Sequence, residues 1–247
     1  MRLTDKVALI TGGGRGIGRA VALAFAQEGA RVVVAARTGH EVGSVADEIA
    51  QAGGGALALT CDVTDESQVK AAVAQTLDRF GRINILVNNA GISNIRPLYA
   101  IPLSGWERTL AVNLTGTFLF IKHVWKPMRA NGPAGGAIIN ISSLGGRHGY
   151  PLLAAYCASK WGQIGLTLTA AEEGKPHNIR VNAIAPGKGD TAFRAQIRED
   201  KNAMLKAEDH VGLCVFLASD EARYITGQVI EIDWFAGPEW PGQPQVA

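Results

Sequence analysis

Three side chains have the types and spacing to do chemistry: Tyr156, Lys160 four residues after it, and Ser143 thirteen residues before it. On a helix, positions four apart project from one face, one turn above the other. An ammonium held near a phenol stabilises phenolate. The tyrosine could then exchange a proton near neutral pH instead of near its unperturbed value of ~10. A hydroxyl from a preceding strand, Ser143, could steady a carbonyl oxygen beside it. Taken alone, a Tyr-x-x-x-Lys pair is equally the decoration of a surface helix, so the rest of the chain has to decide. Cys157 adjoins Tyr156, but one residue along a helix is a rotation of about 100°, and the two side chains diverge.

Length and composition set the frame. At 247 residues the chain has room for one large domain and is short for two. A hydrophobic share of 47% and a charged share of 19% describe a globular protein with a substantial core. The net charge of +2 gives no case for nucleic acid or an anionic membrane surface. No apolar run is long enough to span a bilayer. The N-terminus, Met1 to Lys6, runs into a strand-like segment without an apolar h-region, so no signal peptide is expected. Cys61, Cys157 and Cys214 are odd in number and far apart, which fits reduced thiols and a cytoplasmic location. The histidines (40, 123, 148, 177 and 210) are too dispersed for a local metal motif, and no metal is expected. His148, between Ser143 and Tyr156, is the one expected to line a pocket.

The elements that must position these residues alternate along the chain. Val7–Ile10 precedes a Gly-rich turn and a helix from about Gly16 to Gln27. Val32–Val34 precedes a helical pattern with Val42, Val45, Ala46 and Ile49 on one face. Ala56–Leu59 leads to Asp62-Val63-Thr64-Asp65, where Thr64 or Asp65 is a plausible N-cap for the next helix. Ile83–Val87 is the fourth apolar run. Ser104-Gly105-Trp106-Glu107 has the form of a capping box opening a long helix toward Met128. Ala137–Ile141, the Tyr156 helix, Ile179–Ile184, a helix over Val211–Leu217 and a last strand at Val229–Ile232 complete the series. Strands that are apolar without alternation, each followed by a helix, predict a parallel sheet covered on both faces. Right-handed crossovers leave the doubly wound α/β (Rossmann) sheet, here seven-stranded, as the economical topology. The Gly132–Gly136 stretch reads as a loop, so one domain over 1–247 is expected, with a tail at 235–247.

The turn Thr11-Gly12-Gly13-Gly14-Arg15-Gly16-Ile17-Gly18 sits between the first strand and the first helix. Glycines there let the backbone turn sharply and approach a pyrophosphate, whose charge a helix N-terminus favours. The second strand ends Ala35-Ala36-Arg37. An acidic side chain near this point would bind a ribose 2′-hydroxyl, whereas arginine suits a 2′-phosphate. With Ala36 at that place, Arg37 next to it and Arg15 inside the turn, two cations and no carboxylate argue for NADP(H) over NAD(H).

With Asn88-Asn89-Ala90-Gly91 after the fourth run, the chain resembles the short-chain dehydrogenase/reductase family. The motifs occur in that family's order: Thr11 to Gly18, Asp62-Val63, Asn88 to Gly91, Asn113, Ser143, Tyr156-x-x-x-Lys160 and Pro186-Gly187. The match spans roughly residues 5 to 233. The resemblance implies that Tyr156 is general acid for reduction and base for oxidation, and that Lys160 lowers its pKa and binds the nicotinamide ribose. It further implies that Ser143, with Ser142 pointing to the other side of the strand, bonds the reacting oxygen, and that Asn113 holds a proton-relaying water. Gly12, Gly14, Gly16, Ile17 and Gly18 would cradle the pyrophosphate, with Arg15 and Arg37 on the phosphate end. Asp62 and Val63 would meet the adenine, and Asn89, Ala90 and Gly91 the ribose and nicotinamide. Pro186, Gly187, Gly189 and Thr191 would surround the carboxamide.

The chain also departs from its relatives. Lys188 and Gly189 stand where bulkier residues are usual, the stretch from Thr191 to Asp209 is short, and Trp234-Phe235 follows Asp233. Trp234, Phe235 and Trp240 could pack on a neighbouring subunit, since the family's last strand often lies at a tetramer interface. The expected activity is NADP(H)-dependent hydride transfer between nicotinamide and a carbonyl or secondary alcohol, most like the bacterial 3-oxoacyl-thioester reductase type. A carrier-protein reductase should carry a basic patch beside its pocket, for which Lys122, Lys126, Arg129 and Arg147 are the candidates. The alternatives are a sugar, polyol or xenobiotic ketone oxidoreductase and, from another class, a nucleotide-sensing binding protein without turnover. The implied partners are a small-molecule substrate and other copies of the chain in a homotetramer, with no nucleic acid and no membrane.

Overall fold

A computed structural model of the chain describes residues 1–187 and 205–233. Seven strands form one sheet in the order β3-β2-β1-β4-β5-β6-β7, and every pairing is parallel. They are β1 (Val7–Thr11), β2 (Arg31–Ala36), β3 (Ala56–Thr60), β4 (Ile85–Asn88), β5 (Gly136–Ile141), β6 (Ile179–Pro186) and β7 (Val229–Ile232). Between them run α1 (Gly16–Gln27), α2 (Gly39–Gln51), α3 (Glu66–Phe80), α4 (Leu103–Leu110), α5 (Gly116–Ala130), α6 (Ala154–Gly174) and α7 (Val211–Ala218).

Because successive strand residues face opposite ways, each strand feeds two cores. Ala8, Ile10, Val32, Val34, Ile85 and Val87 pack with Val21, Phe25, Val45 and Ile49 of α1 and α2 and with Cys214 and Val215 of α7. Leu9, Val33, Leu86, Ile138 and Val181 pack with Val69 and Val73 of α3, Phe120 and Val124 of α5 and Ala170 of α6. This two-sided burial is why the strands read as unbroken apolar runs. The strand order reverses between β1 and β4, and at that switch point a crevice opens beyond the strand C-termini.

Two local expectations at helix starts came out differently. Asp65 caps α3, its carboxylate accepting from the backbone N–H groups of Ser67 and Gln68. Ser104 caps nothing. Helix α4 begins at Leu103 after Pro102, with no side-chain capping bond at its N-terminus. Proline at that junction places the start two residues earlier than the Ser-x-x-Glu pattern suggests, so Ser104 already lies inside the helix. Nor is the helix toward Met128 continuous in type: Ala111–Thr115 forms a π turn between α4 and α5. Lys188, Gly189, Thr191, Trp234, Phe235 and Trp240 lie outside the described residues.

Candidate active site

The crevice at the switch point is a cleft of about 530 Å³. The Gly-rich turn forms one wall, and its glycines are there for space as well as for conformation. Gly12 and Gly16 have φ of 63° and 55°, the left-handed region that favours glycine. A Cβ on Gly12 would lie 2.9 Å from Ala90 Cα, and one on Gly18 would strike the Gly12 carbonyl and the Asn89 amide. Gly18 therefore does not line the cleft; it lets α1 pack against the turn. Asn89 secures the same turn by donating to the carbonyls of Thr11 and Gly12 at 3.1 and 3.0 Å. Thr11 Oγ1 in turn accepts from the N–H groups of Asn89 and Ala90. Thr11 thus joins the turn after β1 to the turn after β4.

At the outer end Arg15 and Arg37 are exposed and both line the cleft. Arg15 reaches Glu41 at 3.8 Å, a carboxylate that the sequence patterns did not single out. Asp62 and Val63 line the cleft near them. Burial raises the Asp62 carboxyl, but the N–H and hydroxyl of Thr64 and the charges of Arg108 and Arg37 outweigh it and hold the group below the ordinary range. Cys61 also faces this space, and burial pushes its thiol up to about 11, so it stays protonated and unreactive at neutral pH.

Ser143, Tyr156 and Lys160 share the inner end of the cleft with Asn89, Ala90 and Gly91. Strand β5 delivers Ser142 and Ser143 with opposite faces. Ser142 is buried and bonds the Lys160 carbonyl at 3.2 Å. Ser143 Oγ accepts from the Gly145 N–H at 3.0 Å, which leaves its own O–H to donate. The Lys160 ammonium lies 5.7 Å from the centre of the Tyr156 ring. It is only 3% exposed and donates to the Ile141 carbonyl at 2.6 Å and to Gln163 Oε1 at 3.2 Å. Burial pushes this amine down to about 7. A Cβ on Gly91 would lie 3.8 Å from that amine, an ordinary contact distance, so Gly91 borders the amine without being crowded by it.

Asn113 sits in the π turn, fully buried and away from the cleft wall. Its side chain is a clamp: Oδ1 accepts from the Ile92 N–H, and Nδ2 donates to the Ile92 carbonyl and to Ser159 Oγ. Its main-chain carbonyl accepts from Thr117 Oγ1 at 2.9 Å and faces Gln163 Nε2 at 3.5 Å. Pro186 and Gly187 close the far wall, where Gly187 N–H donates to Ile232 O. Gly189 and Thr191, assigned to the same wall from sequence, fall outside the described residues.

His148 is exposed and is not part of the cleft wall. The histidine that is part of it is His210, buried, with Nδ1 facing the Lys206 carbonyl at 3.0 Å and its imidazole pushed down by burial. Sequence distance explains the error. His148 lies close to the serine and tyrosine along the chain, while His210 arrives through packing of α7 beside α1. Of the four basic residues considered for a patch, none lines the cleft; Lys122 pairs with Glu66 and Arg147 with Glu231.

A Gly-lined turn that extra carbon would block, opening into a cleft that ends at a buried amine and a phenol, fits a dinucleotide in both shape and donor set. A family model described as short chain dehydrogenase matches residues 6–202. The chain belongs to the short-chain dehydrogenase family. Members are oxidoreductases that use NAD(P), and this chain is one of them. It is 40% identical to sorbitol dehydrogenase of Cereibacter sphaeroides, over 97% of this chain and 99% of that one. It is 39% identical to 3-oxoacyl-(acyl-carrier-protein) reductase of Thermotoga maritima, over 94% and 98%. Among solved structures, a candidate NAD(P)-dependent gluconate 5-dehydrogenase of Beutenbergia cavernae, with NADP bound at low occupancy, superposes with a TM-score of 0.87. It is 38% identical and covers 94% of this chain and 96% of that one.

Proposed function

We propose that this short-chain dehydrogenase interconverts a ketone and a secondary alcohol with a preference for NADP(H), and that it is one catalytic domain assembling as a homotetramer. The observation that carries the reading is the buried amine of Lys160 beside the Tyr156 ring, in the same cleft as Ser143 and the glycine turn. When bound, the nicotinamide supplies or accepts the hydride. Tyr156 gives its phenolic proton to the substrate oxygen in reduction and takes it back in oxidation. Ser143 donates its O–H to the same oxygen, where negative charge builds. Lys160 keeps the phenol acidic and offers its remaining donor to a ribose hydroxyl. Gly12, Gly14, Gly16 and Ile17 approach the pyrophosphate, and Gly18 lets α1 pack against that turn. Asp62 and Val63 meet the adenine. Asn89, Ala90, Gly91, Pro186 and Gly187 would enclose the nicotinamide end.

Arg15 and Arg37, with Ala36 where a carboxylate would select NAD, support the 2′-phosphate assignment. The 3-oxoacyl reductase relative supports a 3-oxoacyl substrate, whereas the unlined cleft rim and the paired Lys122 and Arg147 favour a free small molecule over a carrier-bound one. Similarity to a sorbitol dehydrogenase at nearly full length favours a polyol as the second reading. The deciding experiment is a paired panel of ketones with NADPH or NADH and alcohols with NADP or NAD. Turnover should be found with NADPH and should fall by about a hundredfold or more in Tyr156→Phe, while nucleotide binding persists. Binding without turnover on any substrate would instead mark a nucleotide sensor.

A further inference from the structure

The side chain nearest to Lys160 in the hydrogen-bond network, after the strand carbonyl, belongs to a residue that no sequence motif singled out. Gln163 lies on α6 one turn beyond the lysine and is fully buried. Its Oε1 accepts from Lys160 Nζ at 3.2 Å. Its Nε2 donates to Thr117 Oγ1 at 2.9 Å and points at the Asn113 carbonyl at 3.5 Å. Thr117 Oγ1 itself donates to that same carbonyl at 2.9 Å, so the two groups share it. The amide cannot turn over without placing an N–H against an ammonium and an oxygen against a hydroxyl already committed to Asn113. Its orientation is therefore fixed by its partners.

We propose that Gln163 is the positioning residue for Lys160: its amide ties the ammonium to the π turn at Asn113 and keeps it charged and aimed along the Tyr156 ring. Among the described residues Gln163 Oε1 is the only side-chain acceptor that Lys160 has. A lysine ammonium has three donors and no acceptor, so each carbonyl oxygen facing it favours the charged form. The groups set against the amine are the Ile141 carbonyl at the end of β5, the Gln163 amide and, on its own helix, the Tyr156 ring. Tyr156 is the one titratable group among them. Burial alone accounts for the downward pull on the amine, and no carboxylate offsets it. The Gln163 oxygen, with the Ile141 carbonyl, is set against that pull. The Asn113 carbonyl is faced by this fixed amide at 3.5 Å.

The inference rests on Tyr156 as the proton-transfer group, and its test needs no turnover. The phenol of Tyr156 is titrated by near-ultraviolet absorbance, each protein being compared with its own Tyr156→Phe counterpart. In Gln163→Leu, which keeps volume and removes the acceptor, the amine becomes neutral at a lower pH. The phenol midpoint then moves up by about one unit toward ~10. Thr117→Val, which removes the hydroxyl that fixes the amide, moves it the same way by less, and adds nothing once Gln163 is leucine. An unmoved midpoint in both single variants, or equal and additive shifts, overturns the proposal. If Gln163→Leu does not fold, an unmoved midpoint in Thr117→Val alone does so. Absence of activity on every ketone would count against the proposed function and leave this titration readable.

Discussion

Lys160 is held by two opposed influences. Burial pulls its amine down to about 7, while the carbonyl of Ile141 and the amide of Gln163 accept its protons. Unfolded, the amine titrates near ~10.4, so between about 7 and ~10 the unfolded chain binds the extra proton. Stability of the cofactor-free protein should therefore rise as pH increases through that window. Thermal unfolding followed from pH 7 to 9 should show a rise that is smaller in Lys160→Met. At the outer end of the cleft, Arg37→Asp combined with Arg15→Ser should cut the NADPH over NADH preference, in kcat/KM, by about tenfold or more. That is the scale of one lost charge-assisted hydrogen bond, ~1.5–3 kcal/mol. A preference that survives both changes contradicts the phosphate assignment. These residues were legible in sequence because each belongs to a short local pattern. Gln163 and His210 were not, since a buried glutamine or histidine declares its role only through partners on other elements.

Among the elements, helix starts and turns carry the most exact local chemistry. Asp65 is well below the ordinary carboxylate range, at about 2, through the hydroxyl of Ser67, the amide of Gln68 and the N–H groups of both. A carboxyl lowered on folding stabilises above its unfolded pKa of ~3.9 and loses that effect as pH falls toward about 2. Asp65→Ala should lower the melting temperature at pH 7, with the gap from wild type closing on acidification. Gly18→Ala should abolish nucleotide binding before it unfolds the chain, because the new methyl meets the carbonyl of the very turn that receives the pyrophosphate. Isothermal titration with NADP set against circular dichroism separates the two effects. The Asp65 cap was readable because it stands alone before a helical pattern. The Ser104 pattern misled because Pro102, two residues earlier, sets the helix start. The π turn at Ala111–Thr115 had no sequence signature, as its register depends on Asn113 clamping the loop after β4 to α6.

At the scale of the whole molecule, the sheet was legible because two-sided burial leaves an unmistakable trace in strands such as Val32–Ala35 and Ile85–Val87. What covers the outer helices was less so. Phe118 of α5 and Trp161 and Leu168 of α6 are 45%, 53% and 45% exposed, large apolar side chains of the kind a subunit interface covers. Sedimentation of the 26.0 kDa chain should accordingly give a tetramer, and Trp161→Glu a smaller species. The chemistry proposed for the cleft depends on one physical relation, that the Lys160 charge makes the Tyr156 phenol acidic. The direct measurement is the absorbance titration of Tyr156 in the wild-type protein and in Lys160→Met, each against its Tyr156→Phe counterpart. The midpoint should lie clearly below ~10 in the wild type and at or above ~10 without the amine. Equal midpoints in the two proteins would contradict it.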